Sequence, residues 1–190
     1  ALADTGVLFT SMFATSVVCA PSRGAMMTGR YPQSNGLMEM PKSANVGRSL
    51  FPWDWSYREG ERHLSHILRD AGYHTALIGF QHEAYHSETL GFCSKHAEMI
   101  PWTVRHPAEK VSRAAVAFLK NRAKDEAPFY AQVGFFETHR PFGFGDVEPD
   151  DSSGIYVPPY LDRTAFNQKE LAHLQGSVRK LDTAVGDILQ

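Results

Sequence analysis

The residues of this chain best suited to chemistry form the segment Cys-Ala-Pro-Ser-Arg at positions 19–23. Pro21 is able to begin a helix, because its ring presets φ and the first helical N–H needs no partner. We predict a short helix over residues 22–28, whose N-terminal N–H groups point at position 19. Such a terminus attracts anions through its free donors and its dipole, and the guanidinium of Arg23 matches the geometry of a tetrahedral oxyanion. The segment therefore predicts that the side chain of Cys19 faces an anion site.

Together with Thr-Gly-Arg at 28–30, this segment resembles the signature of the sulfatases, Cys-x-Pro-Ser-Arg followed by Thr-Gly-Arg. The resemblance implies that a formylglycine-generating enzyme oxidises Cys19 to formylglycine and recognises Pro21 and Arg23 while doing so. A hydrated aldehyde has two geminal hydroxyls, one to attack sulfur and one whose deprotonation expels sulfate, whereas serine would be left as a stable ester. The alternative interpretation of Cys19 is a buried structural thiol. A cysteine phosphatase loop is excluded, because it needs arginine where this chain has Ala25.

A second motif, Gly-Tyr-His-Thr-Ala-Leu-Ile-Gly-Phe-Gln-His at 72–82, resembles the second sulfatase signature, Gly-Tyr-x-Thr-x-x-x-Gly-Lys-x-His. The resemblance implies that His82 handles the proton of the formylglycine hydrate, a task for which imidazole is suited. Its alternative interpretation is a solvent-facing loop histidine. Phe80 stands where the family has a sulfate-binding lysine, and the lost charge stabilisation amounts to ~2–4 kcal/mol of barrier. Either another cation replaces that lysine, or the substrate or the activity is altered.

A third cluster, Glu-Thr-His-Arg-Pro at 137–141, follows an apolar run. The resemblance implies that His139 binds the sulfate and protonates the leaving group. Arg140 adds an anion contact, to the sulfate or to an acidic group elsewhere on the substrate, or else forms a surface salt bridge. Residues 137–142 and 33–36 resemble the subgroup of sulfatases that acts on N-sulfated glucosamine.

The resemblance also implies one divalent cation, Ca²⁺, which suits hard oxygen ligands. It would polarise the sulfate and lower the pKa of the hydrate. Within this chain the implied ligand is Cys19 as formylglycine, and we expect the carboxylate ligands to lie outside residues 1–190. The acidic loop at 145–154 lacks the spacing of a metal site, so we predict that it is a solvated loop.

The elements that must position these motifs alternate between helix and strand. The pattern predicts strands at 7–14, 74–79 and 129–136, helices at 61–72 and 107–123, and a last helix with a core stripe of Leu171, Leu174, Val178, Leu181, Val185 and Ile188. Short apolar strands between helices indicate an α/β fold with a mostly parallel sheet sandwiched between helices. Ligand sites in such folds gather at the C-terminal ends of strands, and His82 and His139 both follow strands.

The resemblance places this architecture in the alkaline phosphatase superfamily. We expect residues 1–190 to be part of a single catalytic domain, an internal fragment that is incomplete at both ends. Its first strand and its C-terminal portion are expected beyond the chain. Because those portions are expected to carry the metal ligands, we predict that the isolated fragment is inactive.

The composition narrows the classes of partner. A charged fraction of 21% is typical of a soluble globular protein, and a net charge of -2 argues against nucleic-acid and membrane partners. Two cysteines give no disulfide framework. The absence of an Asn-x-Ser/Thr sequon favours a bacterial source, and the family implies a periplasmic or secreted location.

The predicted function is hydrolysis of a sulfate ester or a sulfamate on a sulfated small molecule or a glycosaminoglycan-type sugar. One alternative is a phosphodiester or phosphonate hydrolase that uses the same formylglycine site. A second alternative is a non-catalytic, sulfatase-like protein that binds a polyanion, an interpretation that fits Phe80 and the lack of visible metal ligands.

Overall fold

A computed structural model of the chain describes residues 2–40, 56–99 and 104–190. The chain divides into two compact units. The first comprises Ala1–Leu64 and His82–Thr89, and the second comprises Ser65–Gln81 and Leu90–Gln190. A single catalytic domain across residues 1–190 stays a prediction. In the described part of the chain, no helix has the length and apolar character needed to cross a membrane.

The first unit contains the helices α1 (Leu2–Thr5), α2 (Cys19–Thr28) and α3 (Pro32–Asn35) in its described part. The strand predicted over residues 7–14 does not form, and large side chains there remain exposed, with Phe13 at 85%. A strand needs a neighbouring strand for its backbone hydrogen bonds. None of the described residues provides one for this segment.

The second unit contains a three-stranded parallel sheet, which confirms the predicted α/β class. Its strands are β1 (His74–Gly79), β2 (Ser94–His96) and β3 (Phe129–Gly134), arranged in the order β2-β1-β3. β1 is central and pairs with β3 from His74 opposite Phe129 to Gly79 opposite Gly134. The sequence predicts β1 with its observed bounds, whereas β3 ends two residues earlier than predicted. It does not predict β2, because Ser-Lys-His has no apolar pattern.

The other α-helices of the described chain are α4 (Leu64–Asp70), α5 (Ala108–Arg122) and α6 (Ala165–Leu189), and α6 packs against α5. α4 begins at the boundary between the units. α5 covers the sheet with Val111, Ala115 and Phe118, which are buried together with Ala76 and Ile78 of β1. This apolar cluster is the core of the second unit, and burying it is the main contribution to the stability of that unit.

The predicted core stripe of α6 is wrong at Val178, whereas its other five residues are half-buried. The buried residues of α6 are Ala172, Gly176, Ser177 and Ala184, whereas Val178 is 49% exposed. A Cβ atom on Gly176 would overlap the carbonyl oxygen of Glu148, so the helix approaches its neighbours through small residues. Lys180 of α6 also forms a 3.0 Å ion pair with Glu109 of α5.

The two strands that precede predicted site residues end on glycines that face each other. Gly79 has φ +82°, and a Cβ atom on it would overlap the carbonyl oxygen of Gly134. A Cβ atom on Gly134 would overlap the carbonyl oxygen of Phe80, whose own N–H donates to the Gly134 carbonyl at 2.7 Å. Only glycine at both positions lets the chain leave the sheet this closely packed.

Replacing Gly134 by alanine is expected to destabilise the protein by about 1–3 kcal/mol, because the added methyl has no room beside Phe80. Urea unfolding measures the loss. Gly186→Ala is the matched control, since an added methyl there meets nothing within 4 Å and alanine is favoured in a helix by roughly 1 kcal/mol. Equal unfolding midpoints for Gly134→Ala and the wild type would contradict the close approach of the strand ends.

Candidate active site

Cys19 is the first residue of α2 rather than a residue in front of it. The predicted helix at 22–28 is therefore three residues too short at its start. Val18 is the extended N-cap residue, and the N–H of Ser22 donates to its carbonyl at 3.1 Å. Because Pro21 carries no N–H, the first-turn donors ahead of Ser22 are those of Cys19 and Ala20. The positive end of the helix dipole thus acts directly on the Cys19 side chain.

The thiol of Cys19 contacts the imidazole of His82. Its Sγ lies 3.4 Å from Nδ1 of His82, and both residues belong to the first unit. His82 is only 4% exposed, so its interpretation as a solvent-facing loop histidine is wrong. Its backbone N–H donates to Oε2 of Glu83 at 2.8 Å, which helps to hold this turn in place. The geometry allows a proton to pass between the group at position 19 and the imidazole.

A cleft of about 580 Å³ opens beside Cys19. Cys19 and Arg23 both line it and both are half-buried, so neither is a surface side chain nor a fully buried one. The other residues that line the cleft are mostly apolar or small: Met12, Phe13, Ala14, Thr15, Ser22, Ala25 and Met26. An arginine on a wall of low polarity attracts an anion more strongly than one in open water.

The Thr-Gly-Arg part of the signature secures the end of α2. Gly29 closes the helix with φ +66°, and the hydroxyl of Thr28 donates to the carbonyl of Gly24 at 2.7 Å. The amide of Asn35 donates to the Thr28 hydroxyl at 3.1 Å and to the Arg30 carbonyl at 3.2 Å, and its oxygen accepts from a further backbone N–H. Asn35 is fully buried, and the sequence did not single out its role. The sequence offers one signal for this role. Asn35 ends a short turn that begins at Pro32, and it lies two residues before the apolar Leu37.

The buried side of α2 packs tightly at Gly24 against Tyr57, whose pKa is shifted by its burial. A Cβ atom on Gly24 would lie 2.8 Å from Cδ2 of Leu37 and 3.2 Å from the hydroxyl of Tyr57, so glycine is needed for this packing. Burial, followed by the negative charge of Glu83, raises the pKa of the Tyr57 hydroxyl well above its ordinary range. Tyr57 therefore keeps its proton at neutral pH and well above it.

Phe80 supplies no charge to the site, because its side chain belongs to the core of the second unit. It is 7% exposed and meets the ring of Phe136 edge to face, with the ring centroids 6.0 Å apart. Phe136 in turn stacks on the imidazole of His139 at 5.0 Å. Phe80, which stands where the resembling motif has a lysine, thus packs in the core against Phe136, and His139 stacks on that same ring.

The ring of His139 is oriented by a hydrogen bond of its own segment. Nδ1 lies 2.6 Å from the carbonyl oxygen of Arg140. Since a carbonyl only accepts, Nδ1 carries the proton and the neutral ring presents Nε2 as an acceptor. Donation from Nε2 to an anion or a leaving group then requires the imidazolium form.

Arg105 is a cation at this end of the sheet that the sequence analysis missed. Its guanidinium lies over the ring of Phe136, with Cζ 4.8 Å from the ring centroid. The backbone around it is held by two hydrogen bonds, from the N–H of His106 to Sδ of Met99 at 3.4 Å and from the N–H of Ala108 to Oε1 of Glu137 at 2.9 Å. A single arginine ahead of a helix has no sequence signal, because its position over Phe136 arises only on folding.

Glu137 is the buried carboxyl of the segment that follows β3. It is 6% exposed and accepts from the first N–H of α5, so it satisfies a donor at the start of that helix. Burial raises the pKa of Glu137 above its usual range, although the N–H of Ala108 opposes this effect. This link holds the start of α5, and the residues just before it, against the end of β3.

Arg140 lies at the surface and is 65% exposed in its side chain. It forms a 2.7 Å ion pair with Glu170 and lies over the ring of Phe142, with Cζ 4.8 Å from the centroid. The surface salt bridge considered for this residue is therefore present. A contact between Arg140 and a substrate anion stays a prediction.

Within the described ranges, no group of three or more His, Cys, Asp or Glu side chains is placed to hold a metal ion. In the acidic loop at 145–154, Asp150 pairs with Arg179, and Asp151 accepts from the N–H and hydroxyl of Ser153. These carboxylates are committed to local structure, as expected for a solvated loop. The described residues by themselves therefore do not fit a complete calcium site.

The whole chain, residues 1–190, matches the family model described as Sulfatase. An ulvan-active sulfatase of Formosa agariphila is 26% identical to it, over 100% of this chain and 35% of the relative. The N-sulphoglucosamine sulphohydrolase of Homo sapiens is 24% identical, over 100% of this chain and 41% of the relative. The crystal structure of a putative sulfatase, yidJ from Bacteroides fragilis, matches with a TM-score of 0.74 and 17% identity, over 99% of this chain and 51% of that one. The chain thus spans well under half the length of these two curated relatives.

Phe80→Lys restores the residue that the resembling motif carries at this position. We expect it to destabilise the protein by several kcal/mol, because the ammonium group would be desolvated in the core. Urea unfolding of purified protein measures this loss. Phe80→Leu, which keeps the position apolar, is the control and is expected to cost about 1 kcal/mol. If both variants unfold at the same urea concentration, position 80 does not face the core.

Proposed function

Because the chain belongs to the sulfatase family, we propose that the protein that contains it hydrolyses a sulfate ester or a sulfamate on a sulfated sugar. The observation that carries this proposal is the contact between Cys19 and His82, 3.4 Å apart at the start of α2. It puts the signature cysteine at a helix N-terminus, beside an acid–base group and on the same cleft as Arg23. The names of two relatives, which refer to ulvan and to N-sulphoglucosamine, support a sulfated saccharide as the substrate.

In this proposal each role falls on a named side chain. Cys19, matured to formylglycine by a formylglycine-generating enzyme, supplies a hydrated aldehyde as the nucleophile. Arg23 holds the sulfate through its guanidinium fork. His82 exchanges a proton with the group at position 19, and His139 as imidazolium binds sulfate or protonates the leaving group from Nε2.

We propose Ca²⁺ as the divalent cation of the whole protein, with the matured residue 19 as one ligand. Its chemistry, when bound, is to polarise the sulfate group. The described residues do not hold it alone, so the roles above rest on side chains of this chain. The family further supports a periplasmic or secreted location for the protein.

Arg105 is our candidate for the cation that replaces the family lysine. Phe80 is committed to the core, and Arg105 stacks on the same Phe136 ring that supports His139. The planar guanidinium of an arginine matches the geometry of an oxyanion. Arg105 therefore brings positive charge to the residues that follow β3, where the sulfate-binding His139 is proposed to act.

The test of the main proposal begins with peptide mass spectrometry on the segment that contains Cys19, from protein expressed with a formylglycine-generating enzyme. We expect the mass of formylglycine at position 19. Cys19→Ala should then abolish sulfate release from 4-nitrophenyl sulfate and from sulfated glucosamine, while the unfolding midpoint changes little because the residue is only half-buried.

Three results would point elsewhere. Sulfate release retained by Cys19→Ala would contradict the nucleophile. Faster turnover of an aryl phosphodiester than of the aryl sulfate would favour the phosphodiester or phosphonate hydrolase. A complete protein that contains formylglycine and metal but releases no sulfate would favour the non-catalytic polyanion-binding protein.

Arg105→Ala is expected to lower kcat/KM for sulfate release by roughly 10²–10³, as for the loss of one donor to a transition-state oxyanion. Arg105→Lys should recover part of this loss, because the charge is kept while the fork is lost. Arg113→Ala is the control, since it removes the same charge from the exposed side of α5. Unchanged kinetics in Arg105→Ala would exclude this residue as the replacement cation.

A further inference from the structure

A second cleft, of about 520 Å³, lies in the second unit between the turn that follows His139 and the first turns of α6. It is distinct in its residues from the cleft beside Cys19. The turn contributes Arg140, Pro141, Phe142 and Gly143, and the helix contributes Lys169, Glu170 and His173. Its volume lies within the usual range of small-molecule pockets, roughly 300–1,000 Å³.

Arg140 is held in place in this cleft although most of its side chain is exposed. One edge of its guanidinium is ion-paired to Glu170 at 2.7 Å, and its face lies over Phe142. Arginine has five N–H donors, more than one carboxylate accepts, so Arg140 still has donors to offer to a ligand. Two fixed contacts reduce the conformational entropy that an arginine normally loses on binding.

Two further residues of α6 shape this cleft: Lys169 adds a positive charge, and His173 lies close to the opposite wall. Lys169 carries a second cation on the same cleft, so the two cations outnumber the one carboxylate of Glu170. Nδ1–H of His173 donates a hydrogen bond to the carbonyl of Lys169 at 2.9 Å, and this bond orients the ring. Gly143 brings the opposite wall near, since a Cβ atom there would lie 3.6 Å from Cδ2 of His173.

We propose that this cleft binds an anionic sugar residue of the substrate other than the residue whose sulfate is cleaved. The inference rests on the proposed function, because it extends the binding of a sulfated saccharide beyond the reacting group. A net positive cleft selects the carboxylate or second sulfate of that residue, and the ring of Phe142 offers an apolar surface to the sugar ring. Arg140 directly follows His139 in the chain, so this cleft adjoins the segment that carries the proposed leaving-group acid.

The arrangement makes two predictions of opposite sign at neighbouring positions of α6. Lys169→Ala should weaken the binding of a fluorescent heparin tetrasaccharide by roughly tenfold, because a hydrogen bond to a charged group is lost. Glu170→Gln should strengthen it, since the amide oxygen still accepts from Arg140 while the competing negative charge is removed. Fluorescence anisotropy on the complete protein with Cys19→Ala, which prevents turnover, measures both effects.

Lys120→Ala is the matched control, because Lys120 is an exposed lysine near the end of α5 that does not line the cleft. Equal affinities in Lys169→Ala, Lys120→Ala and the parent protein would overturn the proposal, as would weaker binding in Glu170→Gln. Hydrolysis of 4-nitrophenyl sulfate, which has no second anionic group, should be unchanged in Lys169→Ala with Cys19 intact. If that small ester is not hydrolysed while the tetrasaccharide affinities change as stated, the proposed function fails and the anionic-sugar site stands.

Discussion

The parallel register of β1 against β3 is the constraint on which the second unit depends. It sets Gly79 opposite Gly134, so that the chain leaves both strands at the same edge and with almost no space between them. Phe80 is then tied to the Gly134 carbonyl, and its ring is turned into the core against Phe136. Parallel strands always present their carboxyl ends together, which is why ligand sites of such sheets are found there.

Phe136 connects the end of the sheet to the polar residues around it, because its ring contacts both Phe80 and those residues. Its ring contacts Phe80 on the core side, stacks on His139 and lies under the guanidinium of Arg105. Glu137 completes the arrangement by binding the first N–H of α5. A packed aromatic ring with several neighbours has little freedom to move, so Phe136 gives the ring of His139 a fixed surface to pack against.

In the first unit, the main structural feature is the position of the Cys19 side chain at the start of α2. Cys19 occupies the first position of α2, where the dipole is most positive, and His82 is buried beside it. The far end of the same helix is braced by the buried amide of Asn35. A helix of ten residues is marginal alone, so this bracing is what lets the signature hold a defined geometry.

Phe80 in place of a lysine has two effects: it adds an apolar side chain to the core of the second unit, and it removes a positive charge from this position. The resembling motif has a lysine at this position, whereas here Phe80 adds apolar volume to the core, and a lysine could not occupy that space without losing its hydration. Positive charge is instead carried by Arg105 over Phe136 and by the pair Arg140 and Lys169 on a separate cleft.

The amino-acid sequence by itself determined the family, the α/β class, and the bounds of elements with strong local patterns. β1 was predicted at its observed residues because the apolar run Ala-Leu-Ile at 76–78 lies between the turn signals Gly72 and Gly79, and α5 differed by one residue at each end. The motifs also pointed to Cys19, Arg23, His82 and His139 as the chemical residues, since reactive residue types at fixed spacing are visible without a structure. Their catalytic roles remain predictions.

Only the tertiary structure decided which of the side chains meet. The strand expected over 7–14 did not form because a strand needs a partner. The most buried residues of α6 proved to be small ones, because the helix lies too close to the backbone of Glu148 for a side chain at Gly176. The burial of His82, the inward turn of Phe80 and the position of Arg105 likewise arise from contacts between residues distant in the chain. Local spacing encodes the period of an element and the identity of its residues, whereas the neighbours of a side chain are fixed only when separate elements pack together.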